Sequence, residues 1–220
     1  MYKIINAFVA IVMVSVATTI AHAQSTEAPK YQQESSPVYD QSGAKVVGAI
    51  IVDRLSKTGA VVALQYTGPP RLVVDQAELW THWHKYPQLT EVHISQTSIN
   101  QDFAKYLATL TSLESVLIEG CTFSENALAP LRTMKELKTL EIYLSNGHPI
   151  HDWGFLSGMT HLESLVVIGD SVPPGFSKNF DSLTNLQHIE ISVDDASAPE
   201  VIPALLNLKS VKNIELGRLR

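Results

Sequence analysis

Residues 107–118 have the sequence Leu-Ala-Thr-Leu-Thr-Ser-Leu-Glu-Ser-Val-Leu-Ile, with apolar side chains at a spacing that indicates the fold class. The apolar positions are Leu107, Leu110, Leu113, Val116 and Ile118. The same spacing recurs at intervals of 24 or 25 residues, and we call each set an apolar repeat. A fixed period of this length predicts stacked supersecondary units. The other apolar repeats are Trp83-Tyr86-Leu89-Val92-Ile94, Leu131-Met134-Leu137-Leu140-Ile142, Leu156-Met159-Leu162-Leu165-Val167, Phe180-Leu183-Leu186-Ile189-Ile191 and Leu205-Leu208-Val211-Ile214-Leu216.

Each unit continues into a polar position that follows its last apolar residues. Residues 113–123, Leu-Glu-Ser-Val-Leu-Ile-Glu-Gly-Cys-Thr-Phe, fit Leu-x-x-Leu-x-Leu-x-x-Asn/Cys-x-Leu throughout. This pattern resembles that of leucine-rich repeats. In the other units the Asn/Cys slot holds Thr97, Ser145, Asp170 and Asp194. The slot is predicted to bond buried backbone groups of the turn, which would otherwise be unpaired.

The resemblance implies an α/β fold, a right-handed leucine-rich-repeat solenoid with a parallel concave sheet and a mixed helical and extended convex side. It covers about 130 residues and implies a recognition scaffold without specifying the ligand. The strands are predicted near 90–95, 114–119, 138–143, 163–168, 187–192 and 212–217.

The connections between these strands differ in their proline content. Residues 102–110 and 124–132 have helical character, whereas His148-Pro149 and Pro173-Pro174 predict extended or 3₁₀ segments. Ser197-Ala-Pro199 predicts the start of a short helix in the fifth connection.

The first 23 residues predict a cleaved secretory signal. Lys3 precedes an apolar stretch over residues 4–20, and Ala21-His22-Ala23 supplies small residues at −3 and −1 of a cleavage site. An uncleaved membrane anchor is the alternative, since this stretch is close to the shortest bilayer span. Because Lys3 is the only charged residue removed, cleavage changes the net charge from −6 to −7. This charge argues against nucleic acid or an anionic membrane as the main partner.

The segment between the signal and the regular repeats divides into two parts. Residues 24–43, rich in Gln, Ser and Pro, predict a disordered tether. Residues 44–86 predict an N-terminal helix–strand cap, and residues 87–220 the leucine-rich repeats. In the cap we expect a helix from Ala44, a strand over residues 60–66 and a helix near Asp75 to Lys85. Leu64 and Tyr66 fit a degenerate copy of the apolar repeat.

Cysteine and glycosylation signals bear on the cellular location. Cys121 is the only cysteine, so the chain forms no internal disulfide, and its slot position predicts a buried, inert thiol. The sequence contains no Asn-x-Ser/Thr site for N-glycosylation. These features favour a secreted or periplasmic protein held together by its core.

The candidate binding surface is the concave face of the predicted sheet, where strand alternation places the residues between the inward apolar positions. This face combines glutamates, an apolar patch and no Lys or Arg, and Ser95 and Ser192 are expected on it too. The pattern predicts docking of a protein partner with an apolar centre and a basic rim, with a plain solvated sheet as the alternative. The candidate residues are Glu91, His93, Leu117, Glu119, Glu141, Tyr143, Val166, Ile168, His188, Glu190 and Glu215.

The sequence predicts neither an enzyme nor a metal or cofactor site. Gly154-Phe-Leu-Ser157-Gly158 lacks the spacing of a nucleophile elbow, and no phosphate-binding glycine loop occurs. His148, His151 and Asp152 could meet on one loop, but a surface loop of polar residues explains them better.

The last predicted strand is followed only by Arg218-Leu219-Arg220, so its outer edge is expected to be uncovered. Either the arginines discourage pairing, or a second copy or another partner joins this edge, which would make a homodimer possible.

The function that the sequence favours is noncatalytic protein–protein recognition through the concave face. One alternative is a structural or envelope-associated scaffold that assembles through the C-terminal edge. Another is a binder of peptides or glycans that uses His93, Glu141 and Tyr143.

Overall fold

The computed structural model describes residues 33–39, 45–55, 61–67, 83, 86–145, 149–170 and 172–218. The predicted signal over residues 1–23 lies outside this part of the chain, as does the helix expected near residues 75–85 apart from Trp83. None of the helices in the described ranges has the length and apolar character needed to cross a bilayer.

The main feature is a mainly parallel sheet of nine strands with helical connections, which makes the fold α/β. The first three strands pair antiparallel, and every later neighbour in the sheet is parallel. In sheet order the strands are β1 (Gln33–Tyr39), β2 (Lys45–Leu55), β3 (Val61–Thr67), β4 (Glu91–Ser95), β6 (Ser115–Glu119), β8 (Thr139–Tyr143), β9 (Ser164–Ile168), β10 (His188–Val193) and β11 (Asn213–Arg218). A second sheet pairs β5 (Ser98–Ile99) with β7 (Thr122–Phe123).

The parallel strands stack in the register that the apolar repeats predict. The fourth position of each apolar repeat lies on one of these strands. These positions align across the sheet as Val92, Val116, Leu140, Leu165, Ile189 and Ile214. At the start of each later strand, one carbonyl of the preceding unit accepts two backbone N–H groups. The accepting carbonyls belong to Thr90, Glu114, Lys138, Glu163 and Gln187. The predicted strand positions are therefore confirmed.

The core consists of the apolar repeats. In the first five repeats every position is buried except Tyr86, which is half-buried. The sixth repeat differs: Leu205 is buried, Leu208, Val211 and Ile214 are half-buried, and Leu216 is 45% exposed. Within the described residues, the apolar side chains of the last unit are thus only partly covered.

The connections follow the proline content in most units. The first contains helix α1 (Gln101–Leu107), which begins where the Asn100 side chain accepts a hydrogen bond from the Phe103 N–H at 2.8 Å. The third and fourth contain 3₁₀ helices at Gly154–Gly158 and Phe176–Ser182, and the fifth contains α2 (Ala198–Leu206). These predictions are confirmed.

The helix expected over residues 124–132 is wrong in type. The chain instead forms turns followed by a 3₁₀ helix at Ala129–Thr133. Asn126 adopts a positive φ of 53°, which a right-handed helix excludes. Pro130 also lacks the N–H that an interior helical position requires.

The N-terminal segment differs from the sequence prediction in two places. The stretch expected to form a helix from Ala44 is strand β2, because its β-branched residues favour an extended backbone. Residues 33–39, expected in the disordered tether, form β1, which pairs with β2 from Gln33↔Ile51 to Tyr39↔Lys45. Backbone pairing orders this segment without a periodic apolar pattern. The predicted strand over residues 60–66 is confirmed as β3, with Leu64 aligned on Val92.

In two units the side chain in the polar slot satisfies backbone groups, as predicted. The Sγ of the fully buried Cys121 lies 3.7 Å from the Ile94 carbonyl oxygen and 3.5 Å from the Glu119 carbonyl oxygen, which share its single S–H. In the fifth unit, the Asp194 carboxylate accepts hydrogen bonds from the backbone N–H of Ser197 (2.8 Å) and of Ala196 (3.1 Å). Burial raises the pKa of Cys121 to about 12, so the thiol stays protonated at neutral pH, in accord with an inert residue.

Candidate functional site

All the candidate residues lie on one side of the sheet, which we call the open face: the residues of β4, β6 and β8–β11 that alternate with the buried repeat positions. Three rows cross the strands. The first is Glu91, Ser115, Thr139, Ser164, His188 and Asn213; the second is His93, Leu117, Glu141, Val166, Glu190 and Glu215; the third includes Ser95, Glu119, Tyr143 and Ile168. The predicted arrangement of these residues is confirmed, whereas their binding role stays a prediction.

The first two rows of the open face continue onto β3, one strand earlier than the sequence predicts. Ala63 aligns with Glu91 in the first row, and Gln65 aligns with His93 in the second. The irregular spacing between the degenerate repeat and the first regular one hid this extension. The sequence signal for this extension is the degenerate repeat copy, whose Leu64 and Tyr66 align on Val92 and Ile94.

Several carboxylates on the open face have neighbours within hydrogen-bond distance. His93 Nε2 lies 3.2 Å from Glu119 Oε2, and both side chains are partly exposed, at 25% and 30%. The Tyr143 hydroxyl donates to Glu141 Oε2 over 3.2 Å. At the edge strand, Asn213 Nδ2 donates to Glu215 Oε1 over 3.0 Å. These bonds orient the glutamates along the surface.

Glu190 differs from these glutamates. Among the residues that the structure describes, none forms a hydrogen bond or ion pair with its carboxylate. Partial burial raises its pKa, and the neighbouring Glu215 adds to this effect while His188 opposes it. The ionised form of Glu190 is therefore less well solvated and more strongly repelled than that of a free side chain.

Tyr143 lies near three carboxylates of the open face. Burial raises the pKa of its hydroxyl, and the nearby Glu141, Glu190 and Glu119 carboxylates raise it further. The phenol is thus held in its neutral, hydrogen-bond-donating form. Its hydroxyl points to a carboxylate while its ring remains half-buried beside the apolar residues.

The apolar patch is less exposed than the sequence suggests. Leu117, Tyr143 and Ile168 are half-buried, but Val166 is only 5% exposed. Val166 is a short side chain that aligns between the longer Glu141 and Glu190 of the adjacent strands. It therefore forms the floor of the patch, not a projecting contact.

Ser95 and Ser192, expected on the open surface, are buried at 6% and 3% exposure. The Ser95 hydroxyl lies 3.4 Å from the Tyr66 carbonyl oxygen, to which it donates. Ser192 Oγ accepts from the Gly169 N–H at the same distance. These serines satisfy backbone groups where the strands end, and the prediction that they face solvent is wrong.

The described residues offer no apparent place for a metal ion. None of the His, Cys, Asp and Glu side chains within the described ranges forms a group of three or more that could hold one. His151 and Asp152 are exposed, and His148 lies outside the described residues. The nearest partner of Asp152 is the backbone N–H of Gly154, at 2.7 Å, which is a local turn contact.

No protein-family model matches the sequence, and no curated protein shows significant similarity to it. A structural match exists to an internalin (InlF) from Listeria monocytogenes, with 16% identity and a TM-score of 0.34. The match covers 60% of this chain and 55% of that one, so it spans little more than half of the internalin chain. The likeness to a leucine-rich repeat rests on the register and hydrogen bonds described above.

Proposed function

We propose that the chain is a noncatalytic protein-interaction module of an exported protein, secreted or periplasmic, and that it binds a protein partner through the open face. In this proposal the repeats form a right-handed solenoid, the open face is its concave side, and residues 44–86 cover its N-terminal end. Within this segment the structure describes strands β2 and β3, and β2 replaces the helix that the sequence predicted from Ala44.

The observation that carries this proposal is the composition of the open face. The half-buried Leu117, Tyr143 and Ile168 lie among carboxylates. In the rows formed by the described strands β4 to β11, no Lys or Arg neutralises these carboxylates. A partner with an apolar centre and basic surroundings would complement both properties.

The experiment is a quantitative pull-down with the purified full chain and its Leu117→Ser/Ile168→Ser variant. Extracellular extract from the source cells supplies candidates, and each protein captured is then purified and tested alone. The matched control is Leu206→Ser/Leu216→Ser, which removes two exposed apolar side chains away from the open face. We expect the patch variant to lose the partner and the control to keep it. Equal capture by both variants would contradict the proposal.

A second function, assembly through the C-terminal edge, is favoured by a separate observation. Leu216, the last position of the sixth apolar repeat, is 45% exposed, whereas the last position of every earlier repeat is buried. Leu206, which lies next to the repeat position Leu205, is 73% exposed. Among the described strands, β11 pairs only with β10. Light scattering on the full chain across micromolar concentrations tests this proposal. A mass that rises with concentration and falls in Leu206→Ser/Leu216→Ser supports it, and a constant monomer mass opposes self-assembly.

A further inference from the structure

The row that crosses the middle of the open face alternates charge and apolar surface. Across adjacent strands it runs Glu141, Val166, Glu190. With neighbouring strands about 4.8 Å apart, the Glu141 and Glu190 backbone positions are separated by about 10 Å. Val166 lies between them, and Ile168 lies two residues further along the same strand. The arrangement is an apolar floor with a carboxylate on each side.

The two carboxylates are not equivalent. Glu141 already accepts a hydrogen bond from Tyr143, at 3.2 Å. Glu190 has no comparable neighbour in the part of the chain that the structure describes, although it is partly buried and close to other acidic side chains. A carboxylate in these surroundings gains more from an incoming cation than one that is already paired.

The combination selects a particular kind of side chain. A bare cation would leave the half-buried Ile168 uncovered, and a purely apolar group would leave the Glu190 carboxylate further desolvated without a partner. Lysine and arginine carry a cationic head on an aliphatic stem, which packs along apolar surface while the head reaches a polar site. The length of either side chain is sufficient to reach from Val166 across the spacing between neighbouring strands to Glu190.

We propose that the partner inserts a lysine or arginine side chain of a polypeptide segment here, with its stem on Val166 and Ile168 and its charged head at Glu190. This inference rests on the proposed function, and it names the residue of the partner that the open face selects. Glu190 is then a specificity-determining residue, and Glu141 is the carboxylate on the opposite side of the stem.

The test begins with immobilised full chain and a phage-displayed library of random dodecapeptides. We expect enrichment of Lys or Arg next to apolar residues among the clones. The strongest peptide is then synthesised with its basic residue intact, or replaced by norleucine, which keeps a stem and removes the charge. Separate Lys and Arg versions distinguish the two cations. Fluorescence polarisation measures binding to the wild type, to Glu190→Gln and to Glu125→Gln, an exposed control on a turn.

For the wild type and Glu125→Gln, we expect norleucine to weaken binding about fivefold, as for a partly desolvated ion pair. For Glu190→Gln, the same peptide change is expected to alter binding less than about twofold. Equal losses in all three proteins would overturn the inference, as would binders without basic residues or a library that yields no binder. The proposed function is judged separately, because it fails only if Leu117→Ser/Ile168→Ser retains full binding of a protein partner.

Discussion

A Cβ atom placed on Gly169 would lie 2.3 Å from the carbonyl oxygen of Leu144, so the turns of these adjacent units meet too closely for a side chain. Gly169 follows β9 with a φ of 120°, a conformation that L side chains rarely adopt. Leu144 follows β8, and its N–H donates to the Ile168 carbonyl over 2.7 Å. The turns approach this closely because the hydrogen bonds that align the strands continue into the turns.

Gly169→Ala is expected to lower the free energy of unfolding by about 2–4 kcal/mol, because it adds a clash with backbone to an unfavourable φ. Urea denaturation followed by circular dichroism measures the change. Gly120→Ala is the matched control: its φ is 60°, but the nearest atom to an added Cβ, Ser145 Oγ, is 3.4 Å away. We expect the control to lose only about 1 kcal/mol. Similar losses at both glycines would contradict the close approach.

Cys121 is expected to be unreactive in the folded protein. Burial raises the pKa of its thiol to about 12, and the side chain has no exposed surface, so little thiolate is accessible at pH 8. Labelling with a chromogenic disulfide reagent should therefore be slow in buffer and rapid in denaturing urea, with a rate that follows the unfolded fraction. Labelling of the native protein at the rate of a free thiol would show that the slot is not closed.

The Glu200 side chain, on α2, links the segment before β11 to the segment before β10. Its carboxylate accepts from the backbone N–H groups of Gly175 (2.8 Å) and Ser177 (3.3 Å) and from the Ser177 hydroxyl. The Ser177 hydroxyl contributes most to lowering the pKa of Glu200, followed by the Gly175 N–H. Because the folded-state pKa is below the ordinary value, the stabilisation is present at neutral pH and is lost as pH falls through the folded pKa.

Glu200→Gln should therefore lower the Tm by about 2 °C or more at pH 7, and the difference from the wild type should shrink in acid. Differential scanning calorimetry at pH 7 and pH 3 measures it, with Glu125→Gln as the exposed control. An equal Tm for wild type and Glu200→Gln at pH 7 would contradict a stabilising role of this carboxylate.

Glu190→Gln has the opposite expected sign. Burial and Glu215 raise the pKa of Glu190, so the folded state binds its proton more tightly than the unfolded state. Ionisation thus costs stability as pH rises from the ordinary glutamate pKa through the raised one. At pH 7 the variant should be more stable by a few tenths of a kcal/mol, since solvent screens a partly exposed group.

At pH 3 both proteins carry a neutral side chain at position 190, and the gain from Glu190→Gln should vanish. Urea titrations at the two pH values measure this. Lower stability of the variant at pH 7 would mean that Glu190 has a stabilising partner. A gain in stability together with weaker binding is the pattern expected of a residue kept for function.

The local spacing of apolar residues was sufficient to predict the strands of the regular repeats and their register. Val116 and Ile118 can both face the core only if the chain is extended, and the fixed period then aligns them on Leu140 and Ile142. The run Val46-Val47 and Ile50-Ile51 was ambiguous, because apolar pairs at this spacing suit a helix face or a strand. The pairing of β2 with β1 makes this stretch a strand, and no periodic pattern in the sequence indicates that pairing.

The sequence was sufficient to predict which residues share a row of the candidate site, but not how exposed each side chain is. Alternation places Val166 and Ser95 on the open face, yet their burial depends on longer neighbours and on the carbonyl of Tyr66. The difference between Glu141 and Glu190 likewise depends on where the Tyr143 hydroxyl points, which spacing does not determine.

The most direct test of the central claim is the affinity of the purified full chain for a partner captured in the pull-down. Isothermal titration calorimetry compares the wild type, Leu117→Ser/Ile168→Ser and Leu206→Ser/Leu216→Ser, each shown by circular dichroism to be folded. Recognition through the open face predicts a loss of about tenfold or more for the first variant, and an affinity near that of the wild type for the second. Unchanged affinity of the folded Leu117→Ser/Ile168→Ser variant would contradict the claim.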